Sequence, residues 1–447
     1  MRDTQKSQII STKLRQIAEQ AKSYPDRVFT SLCHYMDVDF LEEAYWRLKR
    51  DSAPGLSGTT FKDYGKQFEE NLQALHERLK TGRYEASPIK RVWIDKDKNK
   101  KRPIGLSELE DKIVQKSAEM LLSAVYGQDF YEFSYGFIEG KSAHQGLKEL
   151  RESCRVMNIG WIVDADISGF FDNIDRTLLR GFIKERVNDG GLLRLIGKWL
   201  NVGVMDGEVL TYSDKGTPQG SVISPVLANI FLHHVLDKWF VEEVKPRMKG
   251  RCFIVRFADD FVIGTEREDD AKRLMDVLPK RFSKHGLELH PEKTKLLDFR
   301  KPSREATRGD DFRKPSREAT RGDNTFDFLG FTHYWAKSLN GNWVIKRKTS
   351  SKKVRKTIQA LREWCRNNRH KDLNEQYRIL CSKLRGHFQY FGIRCNMRAM
   401  EAVLHHAIRN WKYWLNRRSR KKTINWEKFG KLLEQIPFPK PKIVHNV

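Results

Sequence analysis

Two adjacent carboxylates, Asp259 and Asp260, stand between the apolar runs Cys252-Phe253-Ile254-Val255 and Phe261-Val262-Ile263. Strand-forming residues on both sides of a short break predict a β-hairpin with the acids at its tip. Upstream, Trp161-Ile162-Val163-Asp164-Ala165-Asp166-Ile167 reads as a second acidic strand, and the two-residue side-chain period puts Asp164 and Asp166 on one face. If the two strands are neighbours in one sheet, Asp166, Asp259 and Asp260 converge. Three carboxylates around one point repel each other unless cations neutralise them, and Mg²⁺ suits such a donor set, with oxygen ligands at about 2.0–2.1 Å. Two such ions about 3.5–4 Å apart stabilise the attacking and leaving oxygens of an in-line phosphoryl displacement. The pattern predicts nucleotidyl transfer.

Charge points to the same class of partner. The formal net charge is +26, and residues 341–447 hold 27 Lys and Arg against 6 Asp and Glu, so 21 of those charges lie in the last quarter. Lysine and arginine neutralise phosphates and release their counterions, so this quarter is the expected nucleic-acid footprint. Aromatics at 343, 364, 377, 390, 411, 413, 414 and 426 interleave with the charges, most of them expected in the core. The six cysteines are scattered without a C-x-x-C pair, which argues against a zinc site or a disulfide framework and for a reducing compartment. No secretory leader opens the chain and no window approaches the roughly 18 apolar residues of a membrane span. A soluble protein of the bacterial cytoplasm or an organelle matrix is expected, with no membrane partner.

The coarse pattern is α+β. Arg91-Val92-Trp93-Ile94 and Arg102-Pro103-Ile104-Gly105-Leu106 read as paired strands around a turn that concentrates Lys96, Lys98, Lys100, Lys101 and Arg102, cations suited to a triphosphate. Helical spacing covers 39–51 and 108–126, the latter read as core packing alone. Lys215-Gly216-Thr217-Pro218-Gln219-Gly220-Ser221 is a Gly/Pro-fixed loop between the acidic strands, leading into a helix over 226–235. Beyond Lys346 amphipathic helices are expected near 350–368, 373–390 and 397–415, followed by the basic cluster Arg417, Arg418, Arg420, Lys421 and Lys422, a nucleic-acid contact. His144 lacks a partner at ligand spacing and reads as a packing or template-backbone residue. The 13 residues Asp298–Asp310 recur unchanged as Asp311–Asp323, too few copies for a solenoid and expected as a flexible loop.

These motifs, in this order, resemble the reverse transcriptases encoded by bacterial and organellar group II introns, from about residue 40 to the C-terminus. Phe257-Ala258-Asp259-Asp260 is similar to that family's aromatic-Ala-Asp-Asp box, and Asp166-Ile167-Ser168-Gly169-Phe170-Phe171-Asp172 to its first catalytic box. The resemblance implies a right-hand polymerase: an N-terminal extension (1–90), fingers (91–155), a palm with an antiparallel sheet (156–340, interrupted at 298–323), a helical thumb or maturase domain (341–416) and a basic tail (417–447). It implies two Mg²⁺ ions held by Asp166, Asp259 and Asp260, with Ile167 in the metal set. It also implies a nucleotide pocket of Lys96, Arg102 and Gln219, and an aromatic under the sugar that excludes a 2′-hydroxyl, Phe170 or Phe171 with Phe171 favoured. Residues 53–60 resemble a loop lying near template RNA, Phe328-Leu329-Gly330 a support for the primer, and Arg385-Gly386-His387-Phe388-Gln389-Tyr390-Phe391 the intron-binding maturase segment. Expected partners are group II intron RNA, RNA template, DNA primer or target, and dNTPs, with homodimerisation left open. The expected activity is RNA-dependent DNA polymerisation with maturase binding and retrohoming by target-primed reverse transcription. Two alternatives stand: a splicing cofactor without needed polymerisation, and a reverse transcriptase recruited to host defence. No Cys-pair and His pattern of an HNH endonuclease follows, so second-strand cleavage is not expected of this polypeptide.

Overall fold

A computed structural model describes residues 4–97, 100–213, 215–217, 220–302, 324–418 and 423–447, with the backbone alone at 95–97 and 100. The tandem repeat thus falls, from 303 to 323, outside the described residues.

Four helices open the chain: α1 (Thr4–Ser23), α2 (Val38–Arg47), α3 (Phe61–Tyr64) and α4 (Phe68–Lys80). The Asp37 carboxylate caps α2 by accepting from the Phe40 amide, and Phe40, Leu41, Ala44 and Tyr45 form its buried stripe. The helix stops at Arg47, short of the expected 51. The hairpin strands β1 (Ile89–Asp97) and β2 (Lys100–Leu106) pair antiparallel, Ile94 opposite Arg102. Helix α5 (Leu109–Tyr126) matches its expected span, and α6 (Ala143–Val156) begins at a Ser142/Gln145 capping box.

The acidic strand is β3 (Trp161–Ser168), followed by α7 (Phe170–Asn173), α8 (Arg176–Arg186) and α9 (Gly190–Asn201). Two short strands, β4 (Val204–Asp206) and β5 (Val209–Thr211), then extend the first hairpin: β4 lies parallel to β1, giving the order β2-β1-β4-β5. Nothing in the sequence reading anticipated that crossover. Helix α10 (Ser224–Leu232) runs on into wider π-helical turns through Asp237. The expected hairpin follows as β6 (Cys252–Phe257) and β7 (Asp260–Thr265), then α11 (Glu268–Lys284), β8 (Glu288–Leu289) and β9 (Lys295–Asp298). Strand β3 lies between β7 on one side and β8 and β9 on the other, all antiparallel.

A second antiparallel sheet holds β10 (Phe326–Phe328), β11 (Phe331–Lys337) and β12 (Trp343–Thr349). The expected boundary at 341 therefore cuts a hairpin; the chain turns helical at Ser350, whose hydroxyl caps α12 (Ser351–Asn367). Helices α13 (Leu373–Phe391) and α14 (Met397–Leu415) match the predicted spans. Residues 417–447 are more than a tail: α15 (Trp426–Gln435) buries Phe429, and the amides of Val444 and His445 both donate to the Gly392 carbonyl. Among the described residues no helix is long and apolar enough to cross a membrane.

Alternation along the strands splits the core in two. Val163, Ala165, Phe261 and Ile263 face a cluster with the N-terminal helices and α5, whereas Ile162, Val255 and Val262 face one shared with β10–β12 and α12–α15. One group fixes where these layers meet. Arg256, fully buried on β6, donates from Nε to Asp237 at 2.8 Å, and from a terminal nitrogen to the Asn229 amide oxygen at 2.9 Å and the Ala258 carbonyl at 3.1 Å. Asn229 in turn donates to the Gly136 carbonyl at 2.7 Å. Removing one partner of a buried pair strands the other charge, so Arg256→Met should cost about 3–5 kcal/mol of stability, and Arg256→Met with Asp237→Leu distinctly less. Urea denaturation checks this; equal losses in the single and double variants would mean that the pair does not hold the hairpin.

Candidate functional site

The two acidic segments meet as neighbours. Asp166 on β3 is the cross-strand partner of Asp260 on β7, and Asp164 of Val262, so the carboxylates continue the apolar row Ile162 and Val262 at the end of one sheet face. Directly opposed residues of an antiparallel pair have Cα atoms only about 4.5–5.5 Å apart. Asp259 occupies the tip beside Ala258, which takes the left-handed φ of 56°. That conformation costs a non-glycine residue roughly 1–2 kcal/mol, and the Arg256 guanidinium on the Ala258 carbonyl helps hold it. The Ser134-Tyr135-Gly136 segment lies against the tip: the Tyr135 amide donates to the Arg256 carbonyl, and a Cβ at Gly136 would stand 2.3 Å from the Ala258 nitrogen.

The cluster is electrostatically unsatisfied. Loss of water pushes the Asp260 carboxyl up to about 7, reinforced by the charges of Asp164, Asp259 and Asp166 and opposed by the Leu329 amide. Burial likewise lifts Asp164 to about 7, with Asp327 and Asp166 adding and Lys295 opposing. Asp166 is about half exposed and receives the Lys293 ammonium at 2.6 Å. Among the described residues no three His, Cys, Asp or Glu side chains already sit close enough to cage an ion. The donor chemistry nonetheless fits a hard divalent cation: all the donors are oxygens, they repel one another, and a lysine ammonium stands in as the cation at Asp166. Ile167 is buried and paired with Leu289, so it can offer only its backbone carbonyl.

The surrounding pocket is partly assembled. Phe170 is buried against Phe231, while Phe171 is half-buried and meets Phe170 edge-on. The Phe171 carbonyl accepts from the Thr217 amide at 2.7 Å, and Arg176 donates to the carbonyls of Gly216 at 3.0 Å and Lys215 at 3.1 Å. On the far side of this loop Gly220, at φ 102°, lies where a Cβ would stand 2.6 Å from the Gly105 carbonyl of β2. Ser221 and the Val222 amide both donate to Gln115 of α5, at 2.7 and 3.1 Å. Gln219 is outside the described residues, but both flanks of its loop are tied down. Arg102 is exposed on β2; Lys96 belongs to β1 with its side chain outside the description. In the 53–60 loop, Glu108 accepts from the Ser57 amide and hydroxyl at 2.7 and 2.6 Å.

The basic quarter forms two adjoining clefts of about 630 and 560 Å³ along α12, α14 and α15. Arg362 and His406 line both; Arg355 and Arg366 line the first, Arg409, Lys412 and Arg417 the second. Tyr413 and Trp426 are exposed there under Arg417 and Lys412, at 3.8 and 4.4 Å from the ring centres, while Trp411 is fully buried. Arg418 is exposed beside Arg417, and Arg385 is exposed on α13 outside both linings. Arg420, Lys421 and Lys422 lie outside the described residues. His144 packs as expected, donating from Nε2 to the Tyr390 carbonyl at 2.8 Å.

Sequence reasoning missed Gln115, Arg176 and Arg256, and it placed Tyr390 only in the RNA-binding segment. Most of their partners are main-chain or buried groups from other elements, and only an unexplained polar residue within an apolar run, such as Arg256 in Phe253–Ile263, was available as a signal.

Residues 94–333 match the family model described as Reverse transcriptase (RNA-dependent DNA polymerase). The chain is 31% identical over 284 residues to Group II intron-encoded protein LtrA of Lactococcus lactis subsp. cremoris, covering 60% of this chain and 46% of that protein. It is 29% identical over 303 residues to protein YkfC of Escherichia coli K12 (59% and 79%), and 28% over 307 residues to the putative COX1/OXI3 intron 1 protein of Saccharomyces cerevisiae (58% and 36%). The chain thus spans under half the length of LtrA.

Because the folded pKa of Asp260 lies near 7, above the ordinary 3.8, this carboxyl favours the folded state below pH 3.8 and loses that contribution as the pH rises through 7. Asp260→Asn keeps an acceptor for the Leu329 amide and removes the charge. It should raise the melting temperature of metal-free protein at pH 8 by roughly 2–6 °C, with the gain vanishing near pH 4. Calorimetry at the two pH values decides; a gain independent of pH would contradict the charge repulsion.

Proposed function

The chain belongs to the reverse transcriptase (RNA-dependent DNA polymerase) family, and from that premise we propose that it copies an RNA template into DNA at the Asp166–Asp259–Asp260 cluster while binding the RNA of a group II intron. The observation that carries the polymerase reading is the cross-strand pairing of Asp166 with Asp260, beside Asp259 at a tip held by buried groups. Asp166, Asp259 and Asp260, with the Ile167 carbonyl, would hold two Mg²⁺ ions. When bound, such ions supply the positive charge that an in-line displacement at phosphorus requires. An ion there would compete with Lys293 for the Asp166 carboxylate.

The remaining residues orient the substrates. Arg102 and Lys96 neutralise the triphosphate of an incoming dNTP, and the Gly216–Ser221 loop brings Gln219 to the nascent pair. Phe171, bonded through its carbonyl to the same loop, packs under the sugar and rejects a 2′-hydroxyl. The β1–β2 and β4–β5 sheet acts as fingers, the β3-centred sheet as palm, and α12–α14 as thumb.

The RNA-binding half of the proposal rests on the two adjoining clefts. Their arginines supply phosphate contacts and the exposed Tyr413 and Trp426 supply stacking faces. The similarity to a group II intron-encoded protein supports intron RNA as the proposed ligand, and with it the proposed maturase role in splicing and target-primed reverse transcription during retrohoming.

Asp166→Ala or Asp259→Ala should abolish Mg²⁺-dependent primer extension on an RNA template and leave RNA affinity within about twofold, since the basic clefts are untouched. Undiminished extension in either variant would refute the metal assignment. Arg362→Glu with Arg409→Glu should weaken intron RNA binding and reduce the slope of log K against log salt by about 2, one per lost phosphate contact. Filter binding across a salt series measures it; an unchanged slope would place the RNA elsewhere.

A further inference from the structure

The turn between β10 and β11 is strained, and the strain has identifiable supports. Phe328 pairs with Phe331, leaving Leu329 and Gly330 as a two-residue hairpin loop with φ of 51° and 82°. Both residues on the positive side make a type I′ turn, a position that favours Asn, Asp or Gly first and penalises leucine. The leucine is held from two sides. Its amide lies against the Asp260 carboxylate and favours its charged form. Its carbonyl accepts from the Tyr390 hydroxyl of α13 at 2.9 Å.

Tyr390 is itself fixed. Its ring stacks on Phe331 with centroids 5.8 Å apart, its carbonyl accepts from His144, and its hydroxyl lies close enough to the acid cluster for the Asp260 charge to raise its pKa, after burial. The residue belongs to the Arg385–Phe391 segment, read from sequence as intron-binding. Its hydroxyl, however, points at the polymerising side of the molecule.

We propose that Tyr390 is a positioning residue for polymerisation: its hydroxyl holds the Leu329–Gly330 turn in the left-handed conformation from which the Leu329 amide orients Asp260. This rests on Asp260 being a metal ligand. The helical unit is then a direct support of the catalytic carboxylates, and a step that moves α13 is felt at the reacting centre.

Tyr390→Phe deletes one hydroxyl and keeps the ring, so the fold should survive. Single-turnover and steady-state primer extension should show kcat lowered about 5–30-fold, the worth of one hydrogen bond in a buried site, with KM for dNTP and the Kd values for template–primer and for intron RNA within about twofold. Glycine adopts the left-handed turn without strain, so in a Leu329→Gly background the same hydroxyl deletion should cost less than about threefold. An unchanged kcat in Tyr390→Phe, or an equal loss in both backgrounds, would overturn the proposal. Asp260→Asn separates the two levels. Extension surviving in that variant removes the metal-ligand reading itself, whereas its loss together with a fully active Tyr390→Phe removes only the role of the tyrosine.

Discussion

A buried guanidinium organises this molecule. Arg256 and Asp237 are both fully buried, and taking two charges out of water is recovered only if every donor finds an acceptor. Here Arg256 bonds to a carboxylate, an amide oxygen and the main-chain carbonyl at the hairpin tip. The π-helical turns after α10 bring Asp237 into reach, and Asn229 one face earlier extends the network to Gly136. Through these bonds a helix, a loop and a hairpin lock together, and the position of Asp259 and Asp260 follows from that locking. A solvated tip could not hold two like charges beside a third.

The two cores meet at the same place. The face of the β3 sheet that carries Asp164 and Asp166 is apolar at one end, packed on the second core cluster, and acidic at the other. Leu329 and Tyr390 approach that acidic end from the second sheet and from α13. The acidic cluster, the Leu329–Gly330 turn and the basic helices are therefore adjacent parts of one packed unit, the arrangement that the proposed union of polymerase and maturase requires.

Much of this was legible in the chain itself because the signals were periodic. Alternation along 161–167 and 252–263 found β3, β6 and β7, and the 3.6-residue repeat found α12, α13 and α14 within a few residues. The sequence reading assigns no element to β12, because Trp343-Val344-Ile345-Lys346-Arg347-Lys348 is too basic to look like a buried strand; Arg347 is in fact buried, donating to the carbonyls of Leu147 and Val447. Strands β4 and β5 have three residues each, too short for any period to show. Helix α5 was read as packing alone, yet Gln115 reaches a loop more than a hundred positions away. Local patterns carry no trace of such pairings, which exist only once the chain has closed.

The parallel join of β1 to β4 has a mechanical meaning. Ile89 and Lys90 are laddered to Val204 and Met205, and the Ile89 amide donates to the Gly203 carbonyl at 2.9 Å, so the base of the fingers is stitched to a connection that springs from the palm. A wholesale swing of this lobe would have to tear that seam.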